Sequence, residues 1–145
     1  MNRIGLKLVF VYSEKFGAEI GARACRRLKD TLGKKFQLTQ SVWNTELFKS
    51  PKLRLLAAKE ALEANVVFIA GTEGAPLDSE VTAWLELWQK RGRSGAAALV
   101  ALLKRDSVDA PHIVAETLHE FAKAAKMDFF CHSEVESARL ELAAV

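Results

Sequence analysis

The sequence predicts an α/β fold: a three-layer, doubly wound, five-stranded parallel sheet in the order 2-1-3-4-5, with helices on both faces. Three observations carry that expectation. Short apolar runs recur along the 145 residues. Helical stretches with clear caps or apolar stripes separate them. The two alternate from one end to the other as βαβαβαβαβα, and right-handed crossovers then bring the strands side by side. No internal repeat, linker or low-complexity stretch interrupts the pattern, so residues 1–145 read as a single domain.

The first run, Ile4–Tyr12 (IGLKLVFVY), ends in continuous β-branched and aromatic residues, as a strand covered on both faces does. Ser13 offers a helix-capping oxygen. The helix from Glu14 to about Leu32 carries Phe16, Ile20, Ala24 and Leu28 at four-residue steps. Gly33 is expected to end it in a left-handed conformation. Phe36–Trp43 alternates, with Phe36, Leu38, Gln40 and Val42 on one side, which suits a half-exposed edge strand. Asn44–Lys49 connects to Ser50-Pro51, a capping serine with proline at the first helical position. The helix Pro51–Ala64 then offers Leu53, Leu56, Ala57, Ala61 and Leu62 to the core.

Val66–Ala70 (VVFIA) reads as a central strand, and Gly71–Leu77 (GTEGAPL) as the most loop-like stretch of the chain. Asp78 or Ser79 caps a helix to about Lys90, with Val81, Trp84, Leu85 and Trp88 on one face. After the turn Arg91–Gly95 comes the apolar strand Ala96–Leu103, then the polar loop Lys104–Ala110. Pro111 opens a helix to about Lys126. Phe129–Cys131 reads as the last strand. Ser133 and Glu136 form a capping-box pattern for a short terminal helix at about 134–142.

Composition removes several functions. The chain is 50% hydrophobic and 27% charged, and its net charge of +3 is too small for a dedicated nucleic-acid binder. The longest apolar run, Gly95–Leu103, is too short to cross a membrane. The first residues carry Lys7 within the apolar run and no small-residue cleavage site, so they read as a strand and the protein as cytoplasmic. Cys25 and Cys131 lie far apart, without metal-ligand spacing, and read as two buried reduced thiols.

In a sheet of this order, ligands bind beyond the carboxyl ends of the strands, where strand order reverses between the first and third. The loops concerned are Ser13–Gly17, Gly71–Leu77 and Lys104–Ser107. Ser13, Lys15, Gly17, Gly71, Thr72 and Gly74 are the candidate binding residues. A helix start next to them offers free N–H groups and a dipole that attract an anion.

The stretch LVFVYSEKFGAEIGARACRRL resembles the first strand, loop and helix of flavodoxin-like proteins, whose loop wraps a flavin phosphate. The stretch Val66–Leu103 resembles the middle of the flavodoxin-like, NAD(P)H-dependent flavin reductases. The resemblance implies a small phosphorylated or flat ligand such as FMN. It names no catalytic residue. Two departures stand in the sequence: Glu14 and Phe16 where hydroxyl or glycine residues are expected, and Thr72-Glu73-Gly74-Ala75 where the reductases carry Tyr-Asn.

The response-regulator receiver shares this architecture. It needs an acidic cluster for a divalent metal and an aspartate after the third strand. Here Glu14 follows the first strand and Gly71-Thr72 the third; Leu103-Lys104 lacks the hydroxyl residue and Cys131-His132 the lysine. The alternative function is therefore a non-phosphorylatable, receiver-like signalling or protein-interaction module.

Other constellations have ordinary readings. His112, Glu116 and His119 share a helix face without a second set of ligands, so no metal site is expected. Trp84 and Trp88 read as core, with a homodimer seam as the sharper alternative. Trp43, at the end of the edge strand, is expected to be exposed near the ligand rim. His132 is placed to reach that rim. The basic clusters Arg23/Arg26/Arg27/Lys29 and Lys90/Arg91/Arg93 read as solvated faces.

Overall fold

The computed structural model describes residues 4–13, 15–89 and 97–135. Five parallel strands form one sheet in the order β2-β1-β3-β4-β5. They are β1 (Ile4–Tyr12), β2 (Phe36–Asn44), β3 (Val66–Thr72), β4 (Ala98–Arg105) and β5 (Asp128–Val135). Four helices connect them: α1 (Lys15–Leu32), α2 (Pro51–Glu63), α3 (Ser79–Gln89) and α4 (Ile113–Ala124). The predicted topology is the observed one.

The register sets the two faces. Leu8, Phe10 and Tyr12 of β1 stand beside Val66, Phe68 and Ala70 of β3, and Phe10 and Phe68 stack with ring centroids 4.3 Å apart. This face carries α1, through Ala24, Cys25 and Leu28. The opposite face carries the larger core, with α2, α3 and α4. Across it runs a chain of rings, Trp43, Phe48, Trp84, Trp88 and Phe121, each within 6.3 Å of the next. Trp84 and Trp88 are thus core residues, buried within one copy and unavailable as a dimer seam.

Helix starts follow the expected chemistry. Ser50 caps α2, its Oγ accepting the Leu53 N–H, with Pro51 at the first position. The Asp78 carbonyl accepts from Val81 and Thr82 at the start of α3.

Several expectations are corrected. Trp43 is buried, only 9% exposed, because its indole turns under the sheet to Phe48 and donates to Glu60 at 2.7 Å. Leu56 is 50% exposed: α2 presses Ala57, Ala58 and Ala61 onto the sheet, and these small residues let it lie close. Asn44–Lys49 is more than a connection, since Thr45–Lys49 forms a 3-10 turn that buries Phe48. Gly33 is not left-handed; a Cβ there would collide with the Lys29 carbonyl, and that close approach is its reason. The left-handed residue near a helix end is Lys126, at φ 60° after α4.

The last strand is longer than Phe129–Cys131. Pairing with β4 continues to Arg105↔Val135, so Ser133 and Glu134 are strand residues and no helix begins there. Glu136 and the rest of the expected terminal helix lie outside the described residues, as do Glu14, Lys90 and the turn Arg91–Gly95. Cys131 is exposed and Cys25 half-buried, because edge strand β5 and the flank of α1 leave them open; both are free thiols.

Candidate functional site: the strand-end rim

At the carboxyl ends of β1 and β3 the backbone of Ser13 donates to the Ala70 carbonyl at 3.0 Å, carrying the β1–β3 pairing one residue past the strand. The Ser13 hydroxyl also turns to that carbonyl, at 3.4 Å. It lies over Gly71, where any Cβ would overlap it. Ser13 is therefore spent on the strand junction, and Gly71 is the residue that makes room for it. Thr72 follows, paired in register with Lys104 of β4. The crevice bordered by Ser13, Gly71, Thr72, Leu77 and Val114 has a volume of about 30 Å³. That is the size of one water molecule.

The structure thus brings Ser13, Gly71 and Thr72 together. Lys15 and Gly17 lie in the first turn of α1, directly after that junction. Gly74 does not join them. It has φ 107°, a conformation that favours glycine, and it faces Ala110 in the β4–α4 loop.

Gly74 stands apart because of Glu73, which the sequence reading did not single out as a site residue. Glu73 is only 6% exposed. Its backbone donates to the Lys104 carbonyl at 2.9 Å. One carboxylate oxygen accepts from Val114 at 2.7 Å and Gly74 at 2.9 Å, and the other accepts from Ala115 at 2.9 Å. The N-cap of α4 is His112, which supplies no side-chain bond. A carboxylate from a distant loop therefore satisfies two N–H groups that every helix start leaves open and complements the dipole. The available signal was double: a helix start with no Ser, Thr, Asp or Asn at its cap, and an acid between glycines in the facing loop.

Two neighbours flank this contact. Although Cys131 is exposed as a residue, partial desolvation of its thiol pushes it up, and the negative charge of Glu73 adds to it. Arg105 donates to the Ala110 carbonyl at 2.8 Å, holding the loop that precedes α4.

The remaining constellations are structural. His119 stacks on Phe129, centroids 5.1 Å apart, and among the described residues no His, Cys, Asp and Glu group could hold a metal. His132 is exposed, its Nε2 3.4 Å from Glu134, on the face that carries α1. No helix among the described residues is long and apolar enough to cross a membrane.

No family model and no curated protein matches this chain in sequence. Among solved structures it is similar to a short-chain flavodoxin associated with a non-canonical PDU bacterial microcompartment. The TM-score is 0.62 and the identity 11%, over 91% of this chain and 83% of that one. With the parallel 2-1-3-4-5 sheet already in place, that likeness decides the fold. The chain has the flavodoxin-like fold. At this identity the likeness speaks for fold alone. In the flavodoxin-like frame the two helix starts of interest differ. The start of α4 is filled by the protein's own carboxylate, whereas the first turn of α1 holds Lys15 and no acidic residue.

Proposed function

We propose that this flavodoxin-like domain binds a small phosphorylated, flat ligand, FMN being the first candidate, beside the start of α1. The observation that carries this reading is the contrast between the two helix starts. Glu73 excludes an external anion from α4. The first turn of α1, from Lys15 on, carries no carboxylate, and Glu14 before it lies outside the described residues; the N–H groups and dipole of that turn favour a phosphate. Lys15 and Gly17 would surround the phosphate, with Ser13, Gly71 and Thr72 at its side as the strand junction beneath it and Gly74 on the outer part of the rim. The 30 Å³ crevice is too small for the ring, which would rest outside it. Bound FMN would supply a redox-active ring; the chain's own part is to hold the phosphate and orient the ligand.

The test is a titration of FMN with the purified protein. Saturable quenching of flavin fluorescence supports the reading, and Lys15→Glu should weaken uptake at least tenfold. No uptake at high micromolar FMN overturns it.

The same Glu73 clasp favours a second reading, a receiver-like protein-interaction module without ligand chemistry. A strand-end loop tied to α4 makes a fixed surface rather than an open cleft. Absence of FMN uptake together with a stable complex in solution would select it.

A further inference from the structure

The sheet face that carries α1 is unevenly covered. α1 packs chiefly on β3 and then on β4. Towards β2 a recess of about 400 Å³ opens between the helix and the sheet, within the range of small-molecule sites. Its floor and far wall are apolar: Phe10 and Tyr12 of β1, and Val42 of β2, which is 60% exposed. On the helix side stand Gly21 and Cys25. Gly21 keeps the wall low; a Cβ there would meet the Phe10 ring at 3.9 Å, and anything longer would grow into the recess. Arg26, one turn past Ala22, is the one cationic residue on the lining among the described residues.

We propose that this cleft binds a small amphipathic anion, an aromatic or short aliphatic chain ending in a carboxylate or sulfonate. The apolar walls take the body of the ligand, and affinity rises with each CH2 they bury. Arg26 selects the charge, since a guanidinium presents a planar fork to such a group. An uncharged ligand would gain the walls without the fork. A cation would meet Arg26 unfavourably, with Arg27 and Lys29 on the same helix. The proposal does not depend on the flavin reading.

The experiment uses the full chain with 8-anilinonaphthalene-1-sulfonate as the fluorescent probe and octanoate and octanol as competitors. The expected result is saturable binding of one probe per chain. Octanoate should displace it at a concentration at least tenfold lower than octanol. Val42→Asp changes an exposed wall residue and should weaken probe binding at least tenfold, as should Gly21→Leu. Arg26→Gln should weaken octanoate about tenfold and leave octanol unchanged. Octanoate should also slow alkylation of Cys25 in a Cys131→Ser background. Thermal unfolding of each variant separates lost binding from lost folding. Equal binding by Val42→Asp, or equal competition by octanol and octanoate, overturns the proposal. So does absence of saturable binding. A dimer that Val42→Asp dissociates would assign the cleft to a second copy and overturn it as well.

Discussion

The Glu73 carboxylate accepts the Val114 N–H at 2.7 Å across 41 residues of chain. This bond and its companion to Ala115 join the loop after β3 to the first turn of α4. They are made by a carboxylate with almost no exposure.

Replacing Glu73 tests what that contact contributes. Glu73→Ala leaves two helix-start N–H groups without their acceptor, and an unmade bond to a charged group costs about 2–3 kcal/mol. Glu73→Gln keeps one acceptor oxygen and should cost about 1 kcal/mol. Urea unfolding with an unchanged slope is the measurement. A loss below about 0.5 kcal/mol for Glu73→Ala, the range of ordinary surface changes, would show that solvent replaces the carboxylate freely.

Ser13 and Gly71 should behave as one unit. Gly71→Ala sets a methyl group against the Ser13 hydroxyl, and overpacking of that kind costs about 1–3 kcal/mol. Ser13→Ala removes only the oxygen of a long hydrogen bond and should cost about 0.5 kcal/mol. With the oxygen gone, the nearest Ser13 atom to the new methyl is its Cβ, at 3.5 Å, an ordinary contact. The double variant should therefore recover at least 1 kcal/mol relative to the sum of the singles in a double-mutant cycle. Additivity would mean that the strand ends move apart instead.

Acid should loosen the contact between α1 and β5. Burial pushes the Glu134 carboxyl up, but the hydrogen bonds and charges of Arg23, at 3.1 Å, and of His132 outweigh it, so the group lies below its ordinary value. A carboxylate with a lowered folded pKa contributes stability that is present above the ordinary carboxylate range, near 4.5, and is lost as pH falls through the folded value. The pair is partly exposed, so the contribution is below about 1 kcal/mol. Glu134→Gln should flatten the stability profile below about pH 4.5 and leave its shape above pH 6 unchanged. Thermal unfolding across pH 3–7 measures it; an unaltered acid limb would remove Glu134 from its cause.

The frame of this molecule was legible because it rests on local patterns. Continuous apolar runs mark strands covered on both faces, and Ser50-Pro51 marks a helix start whatever surrounds it. The errors lie where distant residues decide. Alternation in β2 placed Trp43 on the side opposite Val42, correctly, but only the ring of Phe48 and the carboxylate of Glu60 show that this side is buried at its end. The capping-box pattern at Ser133 was overridden by ladder bonds to β4. At the rim, the nearness of Ser13 and Gly71 followed from topology, whereas the cap on α4 comes from a residue in another loop and carries no spacing rule.

Among the described residues every strand pairing is parallel and none is a hairpin, and this governs how the chain must assemble. Ile4 pairs with Phe36 only after α1 has been spanned, and the central partners Leu8 and Val66 are joined across β2 and α2 as well. Each such closure is an entropic toll met before any ladder bond repays it. Refolding should accordingly fall among the slower single domains, on the scale of milliseconds to seconds rather than microseconds. The nucleus most compatible with the connectivity is β1, α1 and β3 meeting at the Phe10–Phe68 stack, with the edge strands arriving late.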